Sequence, residues 1–239
     1  ILIGEESHPP YQRPPLSNQY HHSETDESRL ALRSAETIAA TGITLLTGTR
    51  VAALDRAARN VTLGDGRVLP YSGLVLATGA RPRPLPVPGA ELAGVMQLRT
   101  LDDARALSRA LPAASDVAII GGGFIGLETA ATARKFGKRV TVFETLPRLM
   151  ARAVAPPTSD FFAALHRSHG VDLRFGARVA ALRGDNGAVA AVVTDDGRAH
   201  PADLVVVGIG VIPNDDLARA AGLECDRGVV VDARARTSD

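Results

Sequence analysis

The chain has 239 residues, of which 45% are apolar and 22% charged, with a formal net charge of +1. That is ordinary globular chemistry, long enough for one large or two modest cores. The balanced charge, with no dense basic run, argues against nucleic-acid binding; one cysteine, Cys225, leaves no disulfide framework, C-x-x-C pair or zinc set; and no apolar stretch reaches the ~18 residues of a membrane span.

In chain order, no signal peptide is visible, and the chain opens on Ile1 as if inside a strand. Leu2 to Glu5 reads as a strand ending on an acid. The polar stretch from Ser17 to Arg29, with His21 and His22, reads as an exposed turn. Residues 42–54 lead to an Asp65-Gly66-Arg67 turn, and Leu74 to Gly79 is a continuous apolar strand. The Pro-rich run from Arg81 to Pro88 reads as a crossing between domains. A strand from Val117 then enters three glycines, an Ala-rich helical stretch follows, and a second strand, Arg139 to Phe143, ends at Glu144. A helix is predicted over 159–168, an Asp196-Gly197-Arg198 turn follows, and Leu204 to Gly210 is another apolar strand ending in glycine.

Gly121, Gly123 and Gly126 have G-x-G-x-x-G spacing, and Glu144 lies eighteen residues past the last of them. Strand, turn, helix, strand and acid follow in the order of a dinucleotide-binding unit. Gly121 permits the tight turn, Gly123 admits a pyrophosphate against the backbone, and Gly126 lets helix and strand approach. The helix start supplies free N–H groups and partial positive charge for phosphates.

Residues 42–54 and 170–182 resemble each other without a gap, and each leads to an Asp-Gly-Arg turn and an apolar strand. Repeats of this length indicate duplicated domains rather than a solenoid. Shifted by the repeat, the first copy's glycine turn falls at or before residue 1, so the chain is expected to be a fragment whose first nucleotide domain lacks its opening strand and turn. Two dinucleotide sites suggest a flavin and a nicotinamide exchanging hydride.

Residues 10–17, 76–84, 98–104, 119–128, 144–150 and 207–214 resemble the FAD-dependent ferredoxin reductases of bacterial oxygenase systems, over essentially the whole chain. The resemblance implies an α/β fold with two Rossmann-like domains of the pyridine nucleotide-disulfide oxidoreductase type, the first incomplete. It implies a truncated FAD segment over 1–107, an NAD domain over 108–235, and the start of a return to the FAD domain over 236–239. It also implies an oxidoreductase that takes hydride from NADH on FAD and passes single electrons to an iron–sulfur protein of the ferredoxin or rubredoxin class. A cytoplasmic location follows from the same resemblance.

On the FAD side the resemblance assigns Glu5 to the adenosine ribose, Arg13 and Pro14 to the flavin wall, and Val51 to the adenine. It sets Arg99 near the phosphates, and Thr78 and Gly79 at the close of a strand approaching the cofactor. The family's Leu-Ser-Lys is here Leu16-Ser17-Asn18, and an amide hydrogen-bonds a flavin carbonyl without adding positive charge. On the NAD side Gly121, Gly123, Phe124, Ile125 and Gly126 form the phosphate turn, and Gly208, Ile209 and Gly210 approach the nicotinamide half. Glu144 accepts from the ribose hydroxyls and repels a 2′-phosphate, favouring NADH over NADPH. Arg148 and Arg152 read as solvated arginines that could salvage some NADPH binding. Glu128 reads either as an acid in the first helical turn or, by resemblance, as a contact of the nicotinamide carboxamide.

Hydride transfer depends on positioning, so no catalytic side chain and no metal are expected. A disulfide or peroxide reductase would carry redox cysteines in the stretch 11–18, which has none. That disulfide or peroxide reductase, a slow NADH-binding redox protein resembling apoptosis-inducing factor, and a nitrite reductase large subunit remain as alternatives. The six histidines show no ligand spacing and read as surface residues, and Cys225 reads as a small packed apolar residue. Having one glycine turn, the 239-residue chain is expected to bind NADH measurably and FAD weakly.

Overall fold

The computed structural model describes residues 1–21 and 27–238. His22 and Asp239, which the sequence placed in an exposed turn and at the return to the first domain, lie outside the described residues. The chain forms two compact units: Ile1–Gln12, Asp26–Arg81 and Ile212–Asp239 make the first, Arg13–Thr25 and Pro82–Val211 the second. A boundary between the units lies between Arg81 and Pro82, and 13–21 and 82–107 group with the glycine turn.

The second unit is built on a parallel five-stranded sheet in the order Val171–Phe175, Arg139–Glu144, Asp116–Ile120, Leu204–Val207, Val95–Gln97. Leu204–Val207 is buried throughout, as expected of an apolar strand with a partner on each edge. The helix Phe124–Lys135 packs on three of these strands and Leu101–Ala110 on the edge strand. Pro156–Ser168 covers the other edge and begins three residues before its predicted start, because Pro at the first helical positions needs no N–H partner. Ala118, Ile120, Phe143, Val205 and Val207 form a core with Val179, Leu182, Val189 and Val192 of an antiparallel three-stranded meander.

The first unit has the same parts in smaller form. Leu2–Ile3 pairs in parallel with Leu45–Leu46, and Val51–Asp55, Asn60–Leu63 and Val68–Pro70 make an antiparallel meander. The repeat is structural down to its irregularities. The register shift at Val51/Ala53 recurs at Val179/Ala181, its counterparts in the repeat. Both Asp-Gly-Arg turns use the Asp side chain to accept the Arg N–H, at 3.1 Å from Arg67 to Asp65 and 3.1 Å from Arg198 to Asp196. The Arg67 N–H holds the Asp65 carboxyl below its usual range, and the Thr194 hydroxyl does so for Asp196.

Two expectations need correction here. Leu74 to Gly79 is not a strand, and Val75 is 86% exposed, although the counterpart at 204–207 is fully buried. Among the described residues 74–79 joins no sheet, and the carbonyls of Thr78 and Gly79 accept from Asn214 instead of a neighbouring strand. The reading of Leu2 to Glu5 as a strand ending on an acid, as Arg139–Glu144 does, also shifts. Leu2 faces Leu45 and Val142 faces Leu173, and Leu45 and Leu173 are repeat counterparts, so Gly4 corresponds to Glu144 and Glu5 lies one residue beyond. Among the described residues, no helix is long and apolar enough to cross a membrane.

Candidate nucleotide-binding site

The strand order of the second unit determines where a ligand can bind. From Asp116–Ile120 the chain runs outward to Arg139–Glu144 and Val171–Phe175 on one side, while Leu204–Val207 lies on the other. The reversal between Asp116–Ile120 and Leu204–Val207 is a topological switch point, where open parallel sheets hold ligands beyond the strands' carboxyl ends. The glycine turn and Gly208-Ile209-Gly210 close these two strands.

Each glycine of the turn has a different neighbourhood. A Cβ on Gly121, which has φ +108°, would stand 2.4 Å from the Gly208 carbonyl oxygen. A Cβ on Gly126 would stand 2.1 Å from the Gly121 carbonyl oxygen and 3.1 Å from Ile119 Cγ2, so helix and strand pack in contact. A Cβ on Gly123 would meet nothing within 4 Å. That opening sits at the N-cap of Phe124–Lys135, whose first turn contains no acid. Free N–H groups beside open space suit a pyrophosphate, so these residues fit the nucleotide expected from the sequence. Phe124 and Ile125, the first two helical residues, are exposed.

Glu144 is more committed than a bare ribose acceptor. Its Oε2 accepts the Gly122 N–H and its Oε1 the Leu146 N–H, both at 2.8 Å, and Met150 N–H closes back on the Gly122 carbonyl at 2.9 Å. The acid therefore also braces the glycine turn. A carboxylate offers about four lone-pair sites, so acceptor capacity is left for ribose hydroxyls.

Three expectations about side chains change. Glu128 is the fifth residue of its helix, outside the first turn, and its Oε2 accepts from Ser17 Oγ and from Asn18 Nδ2 at 3.3 Å. Arg148 is not solvated: it donates to the carbonyls of Val154 and Ala151 at 2.9 and 2.8 Å and to Ser159 Oγ at 3.3 Å, whereas Arg152 is exposed. His21 is 7% exposed and bridges the Leu16 carbonyl and Ser108 Oγ, each at 2.7 Å. A carbonyl only accepts, so Nε2 donates to Leu16, and Nδ1 and the Ser108 hydroxyl share the second hydrogen bond.

The residues assigned to FAD divide between the units. Arg13, Pro14, Asn18 and Arg99 are in the second, where Arg13 donates to the Arg99 carbonyl at 2.7 Å. Glu5, Val51, Thr78 and Gly79 are in the first. There Glu5 makes an exposed ion pair with Arg50 at 3.7 Å, and Val51 opens the meander. Asn214 clamps the Thr78-Gly79 end, donating to the Thr78 carbonyl and, through its backbone, to the Gly79 carbonyl, both at 2.9 Å. Sequence reading missed Asn214 as a positioning group. Its position directly after Pro213, in a motif already matched to a family, was the available signal.

The pyridine nucleotide-disulphide oxidoreductase family matches residues 1–239. The chain belongs to this family. It is 48% identical to rhodocoxin reductase of Rhodococcus erythropolis over 238 residues, covering 100% of this chain and 56% of that protein. It is 46% identical to putidaredoxin reductase of Pseudomonas putida over 243 residues, covering 100% and 58%. The structure of a covalent putidaredoxin reductase–putidaredoxin complex superposes with a TM-score of 0.96 at 45% identity, over 100% of this chain and 58% of that one. The chain thus spans somewhat over half the length of these family members.

Proposed function

We propose that this chain serves electron transfer from NADH to an iron–sulfur protein by way of FAD, as a ferredoxin–NAD+ reductase of an oxygenase system. The observation that carries the reading is the glycine turn at the switch point, with open space over Gly123 and Glu144 at the end of the neighbouring strand. The family membership and the names of the rhodocoxin and putidaredoxin reductases support the same reaction class. Bound FAD supplies hydride acceptance from NADH and release of single electrons to a ferredoxin or rubredoxin.

The chain's own residues bind and orient. The turn at Gly121, Gly123, Phe124, Ile125 and Gly126 holds the pyrophosphate with backbone N–H groups. Glu144 takes the adenosine ribose hydroxyls, and Gly208, Ile209 and Gly210 give close backbone approach to the nicotinamide half. Glu128 meets the carboxamide. Glu5, Arg13, Pro14, Asn18, Val51, Thr78, Gly79 and Arg99 serve FAD. In domain terms, 1–107 belongs to FAD binding, 108–235 to NAD binding, and 236–239 begins the return. A 2′-phosphate beside Glu144 meets a carboxylate already held in place by two N–H groups, so NADH is preferred; Arg152 is the cation left to offset this. We place the protein in the cytoplasm, with its NADH supply; cell fractionation checks this.

The test is NADH and NADPH titration by nucleotide fluorescence, then NADH-driven reduction of ferricyanide or a ferredoxin with FAD added. Tighter NADH binding and catalytic turnover are expected. Flavin bleaching that stays stoichiometric would sink the reductase reading in favour of a slow redox-sensing protein.

A further inference from the structure

Ser17 is a buried polar residue, 5% exposed, that the sequence singled out only as a neighbour of Asn18. It contacts the helix Phe124–Lys135 at two points one turn apart. Its Oγ–H donates to Oε2 of Glu128, and its carbonyl accepts from Thr132 Oγ1 at 3.1 Å. Residues four apart share one helix face, so the two bonds fix both the height and the rotation of Ser17 on that face. Ser17 Oγ also lies 3.4 Å from the Pro14 carbonyl, but a hydroxyl has one proton, and the bond to a carboxylate is the stronger.

The consequence falls on Glu128. Asn18 Nδ2 reaches the same oxygen, Oε2, at 3.3 Å, so both protein donors converge there. Among the described residues the donors to Glu128 are Ser17 Oγ and Asn18 Nδ2, both on Oε2, and none donates to Oε1. Holding one oxygen of a planar carboxylate fixes the direction of the other. Glu128 is half-buried, on the helix that follows the glycine turn, and keeps one oriented acceptor for a donor that none of the described residues supplies.

We propose that Ser17 is a positioning residue for the nicotinamide end of the nucleotide: its hydroxyl holds Glu128 so that Oε1 accepts an amide N–H of the carboxamide. This rests on reading the glycine turn as an NADH site. With an amide rather than a cation at position 18, the described donors that orient the acid, Ser17 Oγ and Asn18 Nδ2, are both neutral.

ADP-ribose, which fills the glycine turn without a nicotinamide, separates the two claims. With the 239-residue chain, NADH affinity is measured by fluorescence and ADP-ribose affinity by calorimetry. Ser17→Ala is expected to weaken NADH about 3- to 10-fold, as one partly lost charge-assisted hydrogen bond implies, and to leave ADP-ribose within about twofold. Ser17→Thr, which keeps the hydroxyl, is expected to retain most of the NADH affinity. In a Glu128→Ala background, Ser17→Ala should cost NADH nothing more. Equal weakening of both ligands, unchanged NADH binding, or full additivity with Glu128→Ala would each overturn the proposal. A wild-type chain that binds neither ligand removes the NADH reading itself, and the proposal with it. Should Ser17→Ala not fold, Ser17→Cys, of similar size with a weaker donor, carries the same comparison.

Discussion

Gly123 and Gly126 are three residues apart in one motif, yet the structure gives them opposite sensitivities. Gly126→Ala drives a Cβ into the Gly121 carbonyl at 2.1 Å and against Ile119 Cγ2 at 3.1 Å, so the strand–helix contact must open. A loss of about 1–3 kcal/mol in urea denaturation is expected, the range for overpacking. Gly123→Ala has extended backbone at φ −86° and open space, so stability should stay within about 0.5 kcal/mol of wild type. NADH affinity should nevertheless fall at least about tenfold, because the new methyl occupies the path of the pyrophosphate. Parallel titration and denaturation of the two variants separate a ligand-facing glycine from a packing one; retained NADH affinity in Gly123→Ala would remove the phosphate from this turn. Glu144 braces the turn, and we propose that it also takes the ribose. Glu144→Ala leaves the N–H groups of Gly122 and Leu146 without their acceptor, at about 1–3 kcal/mol, and should narrow the preference for NADH over NADPH. A variant with full stability but altered preference would show that the bracing contacts carry no weight.

At the scale of elements, helix ends explain much of the local order. Thr100 and Asp103 form a reciprocal capping box at Leu101–Ala110, with Asp103 N–H to Thr100 Oγ1 at 3.1 Å and Thr100 N–H to Asp103 Oδ2 at 2.8 Å. This explains why the helix begins where the Leu-Arg-Thr-Leu-Asp-Asp motif sits. The other end of Pro156–Ser168 carries a pH response. Burial, and secondarily the neighbouring charge of His169, push the His166 pKa below its usual value. The folded state therefore binds the proton less readily than the unfolded one. Stability is full above the unfolded value near 6.5 and declines as pH falls from there through the lower folded value, until both states are protonated. His166→Gln should flatten thermal unfolding midpoints over that window; an unchanged slope would show that the ring is solvated in both states. Element identity was largely legible from pattern: the glycine-turn strand, its helix and Arg139–Glu144 follow from apolar runs and punctuation. The apolar run 74–79 shows the limit of pattern, since its composition matches a buried strand yet among the described residues it joins no sheet.

At the scale of the whole molecule, the described residues hold one glycine turn within a duplicated architecture. The second unit has a glycine turn at its switch point; among the described residues the first unit has none, and Glu5 lies one register position beyond the counterpart of Glu144. We expect the 239-residue chain to bind NADH measurably and to retain little FAD after desalting, read as the ratio of 450 nm to 280 nm absorbance. A yellow, stoichiometrically flavinated product would show that Glu5, Val51, Thr78 and Gly79 suffice without such a turn. The sequence by itself determined the fold class, the repeat, the glycine turn, Glu144 and the family, because glycine spacing and hydrophobic runs are local and survive in one dimension. Only tertiary structure decided that 13–21 packs with the glycine-turn unit, that His21 is buried against Ser108, that Arg148 ties down its own loop, and that Ser17 holds Glu128 across 111 residues of chain. Those contacts join segments remote in sequence. Their partners depend on which faces the sheet brings together, and no local pattern of residue types encodes that.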